Sequence, residues 1–527
     1  MAKPDEDARE PARQTNQSTA PGTRVVSFPA HRLRRQRDTL ASGEPDLDPS
    51  DWTSAREQAH RMLDEVLNHL QTIRTRPVWQ PVPPSVRSGF RTALAATPTD
   101  LADVCEEFSR AILPYGPGNI HPGFMGWVQG GGNVAGLIGE MLAAGLNANV
   151  GGRDQAALEV ERQVLGWVRE WFGFPEGASG LFVTGASMAN FIGVQVARSA
   201  ALGPTVRQHG LQGTSKRLVA YASAAVHNCV TRAMEMSGLG SGALHSIGTG
   251  SDGRINLALL RERIAEDRAY GLEPFLLVGT AGTVDVGAID DLQALGSIAR
   301  SNGMWFHVDG AIGGLGVLAP GVAPRLAGIE QADSIALDFH KWGQVPYDAG
   351  YILVRDGAAH LRAFASEAAY LRRDHRGLSA GSPWPCDFGP DLSRGFRALK
   401  TWFTFRVHGT ALIGAVIDRT CRLAQYLKDR VEASSELELL APVGLNIVCF
   451  RHRGEDADRL NAGIVADLQE SGVAAPSTTT VNGRLAIRAA IVNHRTRVED
   501  IDRLVSATLA LGAAAAGDGS RPEGIAL

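Results

Sequence analysis

Between residues 135 and 356 the chain repeats one pattern. Short apolar runs of β type occur at 180–185 (GLFVTG), 217–223 (RLVAYAS), 275–282 (FLLVGTAG), 305–311 (WFHVDGA), 334–340 (SIALDFH) and 350–356 (GYILVRD), and helix-like stretches separate most of them. Apolar runs without polar alternation suit strands buried on both faces. Their alternation with helices predicts an α/β fold, a mostly parallel sheet with helices on both faces. Upstream, Met62, Leu63, Val66, Leu67 and Leu70 recur at helical spacing within 51–73, and Pro77, Pro81, Pro83 and Pro84 then mark an extended connection. This helix and arm read as an appendage that packs on another surface, such as a second subunit. Downstream, 391–433 reads as helix and 443–515 as strand, helix, strand, helix, a small α+β unit. The expected division is a disordered polar tail at 1–49, a helical arm at 50–115, a large domain at 116–390, a connecting helix with a small C-terminal domain at 391–515, and a second tail at 516–527.

Composition narrows the function classes. The 527 residues carry 52 basic and 56 acidic side chains, a net charge of −4, which gives no electrostatic case for nucleic-acid binding. Arg32, Arg34, Arg35 and Arg37 cluster in the polar tail and read as solvated, with partner contact the minor alternative. The N-terminus is charged where a signal peptide would be apolar, and no run of about 18 or more apolar residues suggests a membrane span. Five cysteines are scattered without a CxxC pair, so neither a disulfide framework nor a metal site is expected, and a reducing cytoplasm fits. Among the basic residues only five are lysines: Lys3, Lys216, Lys341, Lys400 and Lys428. Chemistry that needs a primary amine has few places to occur.

Ligands of open α/β sheets gather at the C-terminal ends of strands. There the runs deliver Asp309, Asp338, His340 and Lys341, the turn Thr184-Gly185-Ala186-Ser187 opening a helix, and, a little further on, His227 and Thr283. Lys341, between His340 and Trp342 just past an apolar strand, is expected to be partly buried. Its pKa would then be lowered, making it a better nucleophile. Asp309 would be costly to bury unless paired, and a protonated ring nitrogen would pair it. The turn at the helix start can hold a phosphate on its free N–H groups. A lysine, an acid and a phosphate cradle together are the parts of a pyridoxal 5'-phosphate site, on whose ring face His227 can stack.

The motifs extend the match. His307 to Ala311 (HVDGA) resembles the HVDAA signature of the group II pyridoxal-phosphate-dependent amino-acid decarboxylases, and His340-Lys341-Trp342 resembles their HKW, 32 residues past Asp309. His121-Pro122, TGASMAN (184–190), His227, GTVDVGAIDDL (282–292), RGFRALKTWF (394–403) and IVNHRT (491–496) also resemble this family, over roughly residues 110–510. The resemblance implies fold type I, with a helical arm, a large seven-stranded domain, a small C-terminal domain, and a homodimer sharing its active site. It implies Lys341 as the Schiff-base lysine, Asp309 as partner of the pyridine nitrogen and His227 as the ring-stacking histidine. It further implies Gly185, Ala186 and Ser187 as the phosphate turn, with Thr283, Asp338 and His340 beside the cofactor. Phe124, Trp127 and Gln129 fall where the family builds its substrate pocket. Tyr370, 29 residues past Lys341, matches a loop tyrosine that protonates the substrate carbon and favours an amine product.

Three positions depart from the family pattern. Asp338-Phe339 stands where the aromatic branch has Asn-Pro, Val284 where a second Thr is common, and Gly310 for the first Ala of HVDAA. The expected activity is α-decarboxylation of an L-amino acid, aromatic or apolar on the hint of Phe124 and Trp127. The alternatives are a decarboxylating aldehyde synthase, an aminotransferase or carbon–carbon lyase, and an inactive scaffold. A dinucleotide enzyme is disfavoured, because Gly310, Gly313 and Gly316 are spaced GxxGxxG rather than GxGxxG.

Overall fold

The computed structural model describes residues 46–365 and 374–517. Tyr370, the Arg32–Arg37 cluster and Lys3 lie outside these residues. Two units are defined, one through His60 and one from Arg61 onward. The first holds the opening turns of helix α1 (Trp52–Gln71), and the second everything described below. Met62, Leu63, Val66, Leu67 and Leu70 of α1 are each half-buried.

The elements then run β1 (Phe124–Met125), α2 (Val134–Leu146), α3 (Ala156–Phe172), β2 (Ser179–Val183), α4 (Ala186–Leu202), β3 (Leu218–Ser223), α5 (Asn228–Met236), β4 (Leu244–Ile247), α6 (Leu257–Ala269), β5 (Glu273–Thr280), α7 (Leu292–Ser301), β6 (Trp305–Asp309), β7 (Ser334–Asp338), β8 (Gly350–Val354), α8 (Gly357–Phe364), the long helix α9 (Arg397–Glu432), β9 (Leu437–Leu439), β10 (Ile447–His452), α10 (Ala457–Glu470), β11 (Ala475–Val481), β12 (Arg484–Ala490) and α11 (Val498–Gly517). Short helical turns fill several of the connections.

Among the described residues the strands form two sheets. The larger has the order β2-β8-β7-β6-β5-β3-β4. It is parallel except for β8, which runs antiparallel to both β2 and β7. All six predicted runs are strands of this sheet, and the seventh is β4, a short edge strand whose residues are mostly half-exposed. The architecture is that of fold type I. Alternate residues of β6 divide between two layers. Phe306 and Val308 enter the main core with Phe182 and Leu277, whereas Trp305, His307 and Asp309 lie on the opposite side.

The second sheet has the order β1-β11-β12-β10-β9 and its own apolar core, with Leu427, Phe450, Ile487 and Leu504. Its strand β1 comes from far upstream and pairs parallel with β11, Phe124 opposite Ala475. That pairing ties residues 121–125 to the C-terminal part of the chain. Among the described residues no helix is long and apolar enough to cross a membrane.

Candidate active site

The C-terminal edge of the large sheet collects most of the expected residues. Strand β7 ends at Asp338, and the turn that follows carries His340 and Lys341. Lys341 Nζ lies 2.9 Å from Asp338 Oδ2. The other carboxylate oxygen, Oδ1, accepts the Ala186 N–H at 2.7 Å, at the first residue of α4. Gly185 precedes that helix and has no side chain with which to cap it. A Cβ there would stand 3.7 Å from both Asp338 Oδ1 and His340 Cε1, so the turn opens directly onto these two side chains. Ser187, in the first turn of α4, is exposed. With the Ala186 N–H already given to Asp338 and the Met188 N–H to the Gly185 carbonyl, the helix start offers an anion the Ser187 hydroxyl and the Ser187 N–H.

Asp309 ends β6 and is buried. Its Oδ1 accepts the Ala311 N–H at 3.1 Å and its Oδ2 the Asn190 amide at 3.2 Å. Burial pushes its carboxyl up from the usual range, against the pull of the Ala311 N–H and the Lys341 and His227 charges. His227 caps α5, its Nδ1 accepting the Cys229 N–H at 3.2 Å, and it is exposed. His340 is buried, its Nδ1 accepting the Ala349 N–H at 3.1 Å, and its ring lies on that of Tyr347 with centroids 4.3 Å apart. Burial lowers its pKa.

Two expectations are corrected. Lys341 does not have a lowered pKa. Burial does act to lower it, but the attraction and hydrogen bond of Asp338, joined by Asp309, raise it overall. The residue that departs from the aromatic branch is thus the one that reverses the expected shift. Thr283 is not on the rim. It is fully buried, and its Oγ1 accepts the Ala288 N–H at 3.0 Å within the turn that follows β5.

The proposed pocket residues separate. Phe124 is buried in β1 and packs with Val78 and Ala475. Trp127 is exposed, at φ 45°, and Gln129 half-buried. Gly130 follows, its N–H donating to the His340 carbonyl at 3.1 Å. A Cβ at Gly130 would fall 2.4 Å from that carbonyl oxygen, so glycine is what lets the 127–131 segment lie against the turn of Lys341.

The remaining motifs acquire physical roles. Arg394 is buried and holds Glu161 through two bonds of 3.1 and 3.0 Å, while also donating to the carbonyls of Val150 and Phe182. Lys400, the other lysine in an apolar setting, pairs with Glu140 at 3.0 Å. In IVNHRT, Asn493 donates to the carbonyls of Asn119 and His121, Arg495 to Gly131, and Thr496 to Pro122. The motif grips the chain on either side of the Trp127 segment.

Sequence reasoning missed Asn190, Ser334 and the role of His307. The signal was a period-two row of Trp305, His307 and Asp309 in an otherwise apolar strand.

The donor set suits pyridoxal phosphate: an amine, a buried carboxylate with spare lone pairs, an exposed imidazole and a helix start on one edge. Comparison with known proteins agrees. Residues 83–453 match the pyridoxal-dependent decarboxylase conserved domain. The chain is 29% identical over 467 residues to the aromatic-L-amino-acid decarboxylase of Bacillus atrophaeus, covering 86% of this chain and 95% of that protein. It is also 29% identical over 466 residues to the phenylacetaldehyde synthase of Arabidopsis thaliana, covering 84% and 93%. Among solved structures, the glutamate decarboxylase domain of diaminobutyrate-pyruvate transaminase and L-2,4-diaminobutyrate decarboxylase from Vibrio parahaemolyticus superposes with a TM-score of 0.78 at 25% identity, covering 91% of this chain and 99% of that one.

Proposed function

Since this chain belongs to the pyridoxal-dependent decarboxylase family and is a pyridoxal-phosphate-dependent carboxy-lyase, we propose that it removes the α-carboxylate of an aromatic or apolar L-amino acid as CO2 and releases the amine. The observation that carries this reading is the grouping of Lys341, Asp338, Asp309 and the start of α4 on one sheet edge. When bound, pyridoxal phosphate supplies an aldehyde that takes an amine and a protonated ring that draws electrons from bonds at Cα.

In this reading the protein's residues divide the work. Lys341 would hold the cofactor through its amine and give up that place to the substrate amine. Asp338 Oδ2 keeps a proton on Lys341 Nζ until the amine is needed. Asp309 would pair with the ring nitrogen and keep it protonated. The Ser187 hydroxyl and N–H would bind the phosphate, and the exposed His227 would stack on the ring. Trp127 and Gln129 border the substrate beside the Lys341 turn, and Trp127 supports an aromatic or apolar side chain. A panel of L-amino acids with CO2, amine, aldehyde, ammonia and peroxide measured together tests the substrate and the outcome.

One rival reading has a specific observation behind it, since the chain is 29% identical to a phenylacetaldehyde synthase, the same identity as to the aromatic-L-amino-acid decarboxylase. Tyr370, by its resemblance to the family's loop tyrosine, favours the amine. Tyr370→Phe is expected to keep CO2 release while part of the product changes from amine to aldehyde, with dissolved oxygen as the oxidant and ammonia and hydrogen peroxide released in equal amount. An unchanged amine yield would remove Tyr370 from the account.

We also infer a homodimer. Val134, Ile138, Met141, Leu142 and Leu146 form an exposed apolar stripe on α2, and Val407 and Leu412 of α9 are exposed as well. Among the described residues no disulfide joins the five cysteines, which supports a reducing compartment such as the cytoplasm.

A further inference from the structure

A continuous row of hydrogen bonds ends on Asp309. Trp305 Nε1 lies 2.8 Å from Ser334 Oγ, and Ser334 Oγ 2.7 Å from His307 Nδ1. His307 Nε2 lies 2.7 Å from Asn190 Oδ1, and Asn190 Nδ2 is 3.2 Å from Asp309 Oδ2. Ser334, His307 and Asn190 are each 0% exposed. The row is built across three elements: Trp305, His307 and Asp309 share one side of β6, Ser334 sits opposite His307 on β7, and Asn190 comes from α4. Gly193, one turn after Asn190, makes room for it, because a Cβ there would fall 2.7 Å from His307 Cε1.

The direction of the row follows from its two ends. An indole N–H can only donate, so Ser334 Oγ accepts from Trp305. At the other end Asn190 Nδ2 faces the Asp309 carboxylate, so Asn190 Oδ1 accepts from His307 Nε2, and in a neutral ring that leaves Nδ1 to take the Ser334 hydrogen. Burial holds the His307 pKa down at about 4, so the ring is neutral and carries its one proton on Nε2. That proton goes to the Asn190 carbonyl, which turns the amide nitrogen toward Asp309. Reversed, the amide would set its oxygen against the carboxylate. The second amide hydrogen meets Cys229 Sγ at 3.2 Å. Asp309 thus receives a donor on each oxygen and keeps lone pairs for a third.

We propose that Trp305, Ser334, His307 and Asn190 are positioning residues that hold Asp309 ionised and aimed at the ring nitrogen of the cofactor. This rests on the cofactor reading given above. A carboxylate this buried tends to take up a proton, and a protonated Asp309 could not hold the ring nitrogen's proton by charge. The donor row opposes that tendency from the side away from the ligand.

The test compares two ligands on the full chain: pyridoxal phosphate, and its analogue with CH in place of the ring nitrogen. Binding is followed by quenching of tryptophan fluorescence and by the visible band of the bound ligand. In the wild type, pyridoxal phosphate should bind more tightly than the analogue. Ser334→Ala should weaken pyridoxal phosphate by about five- to tenfold, the scale of one hydrogen bond, and change the analogue less than about twofold. Ser334→Thr, which keeps the hydroxyl, should restore binding. Gly193→Ala displaces His307 without deleting a polar group. It should show the same selective loss, and covers the case in which Ser334→Ala does not fold. Equal losses for both ligands would reduce the row to packing and overturn the proposal, as would no loss for either. Equal wild-type affinity for the two ligands would remove the Asp309 contact while leaving the cofactor reading intact. A wild type that binds neither would overturn the cofactor reading itself.

Discussion

At Lys341 two effects oppose each other. Burial works against an ammonium group, and the Asp338 carboxylate 2.9 Å away works for it. The carboxylate prevails, so the ammonium is held more firmly than on an ordinary lysine. Asp338→Asn removes that charge and leaves burial to act, which lowers the pKa. The rate at which the protein captures pyridoxal phosphate, followed against pH, should rise with pH in the wild type and shift to lower pH in the variant. An unshifted profile would show that Asp338 does not control the lysine. Lys341→Ala should abolish the visible band of the bound cofactor altogether. The placement of Lys341 and Asp309 on the C-terminal edge of the sheet was legible because both close apolar strands. The sign of the lysine shift was not, because it depends on the 2.9 Å approach of the Asp338 carboxylate to Nζ, which the fold of the 338–341 turn sets. Thr283 was misplaced because its hydroxyl serves a turn that depends on Ala288, a contact that local sequence does not reveal.

Elements explain how distant motifs reach the site. The six apolar runs became strands because a sheet covered on both faces leaves a plain signature. The short edge strand β4 and the Thr-rich β11 lack it, since their side chains are partly exposed. Strand β1 has only two residues and exists because β11 pairs with it. Consequently Phe124, read as a pocket residue, packs in the core beside Ala475. The segment after it is held by Asn493, whose buried amide donates to two backbone carbonyls. Asn493→Ala leaves both without that donor, at a cost of about 1–3 kcal/mol each if they stay buried. We expect a lower urea midpoint and a KM that rises more than kcat falls, because Trp127 and Gln129 lose their support. A KM unchanged within twofold would contradict this. Arg394 ties α3, β2 and the chain at Val150 in the same manner, through a buried pair with Glu161. Arg394→Ala should cost roughly 3–5 kcal/mol in urea unfolding, since it strands a buried carboxylate. A loss below about 1 kcal/mol would mean that water replaces the arginine.

For the molecule as a whole, the scarcity of lysine takes on a definite meaning. Among the described residues, Lys216 pairs with Glu273, Lys400 with Glu140 and Lys428 with Glu432. Lys341 is the lysine that faces two acids on the ligand edge of the sheet. The family and fold were readable because their motifs recur in order along most of the chain. Assembly was read from the resemblance alone, since the apolar stripe on α2 has the periodicity of any half-buried helix. If the proposed dimer forms through that stripe, Ile138→Glu with Leu142→Glu should give a monomer by light scattering and lower activity with it. A wild type that is already monomeric would contradict the shared-site reading. The central claim is that this chain converts an L-amino acid to CO2 and amine at Lys341. The most direct measurement is the yield of CO2 and amine from the cofactor-loaded enzyme with a panel of aromatic and apolar L-amino acids, alongside Lys341→Ala. Equimolar CO2 and amine from at least one of them, absent in the variant, is the predicted result. No CO2 from any member of the panel, or CO2 release that persists without Lys341, would contradict it.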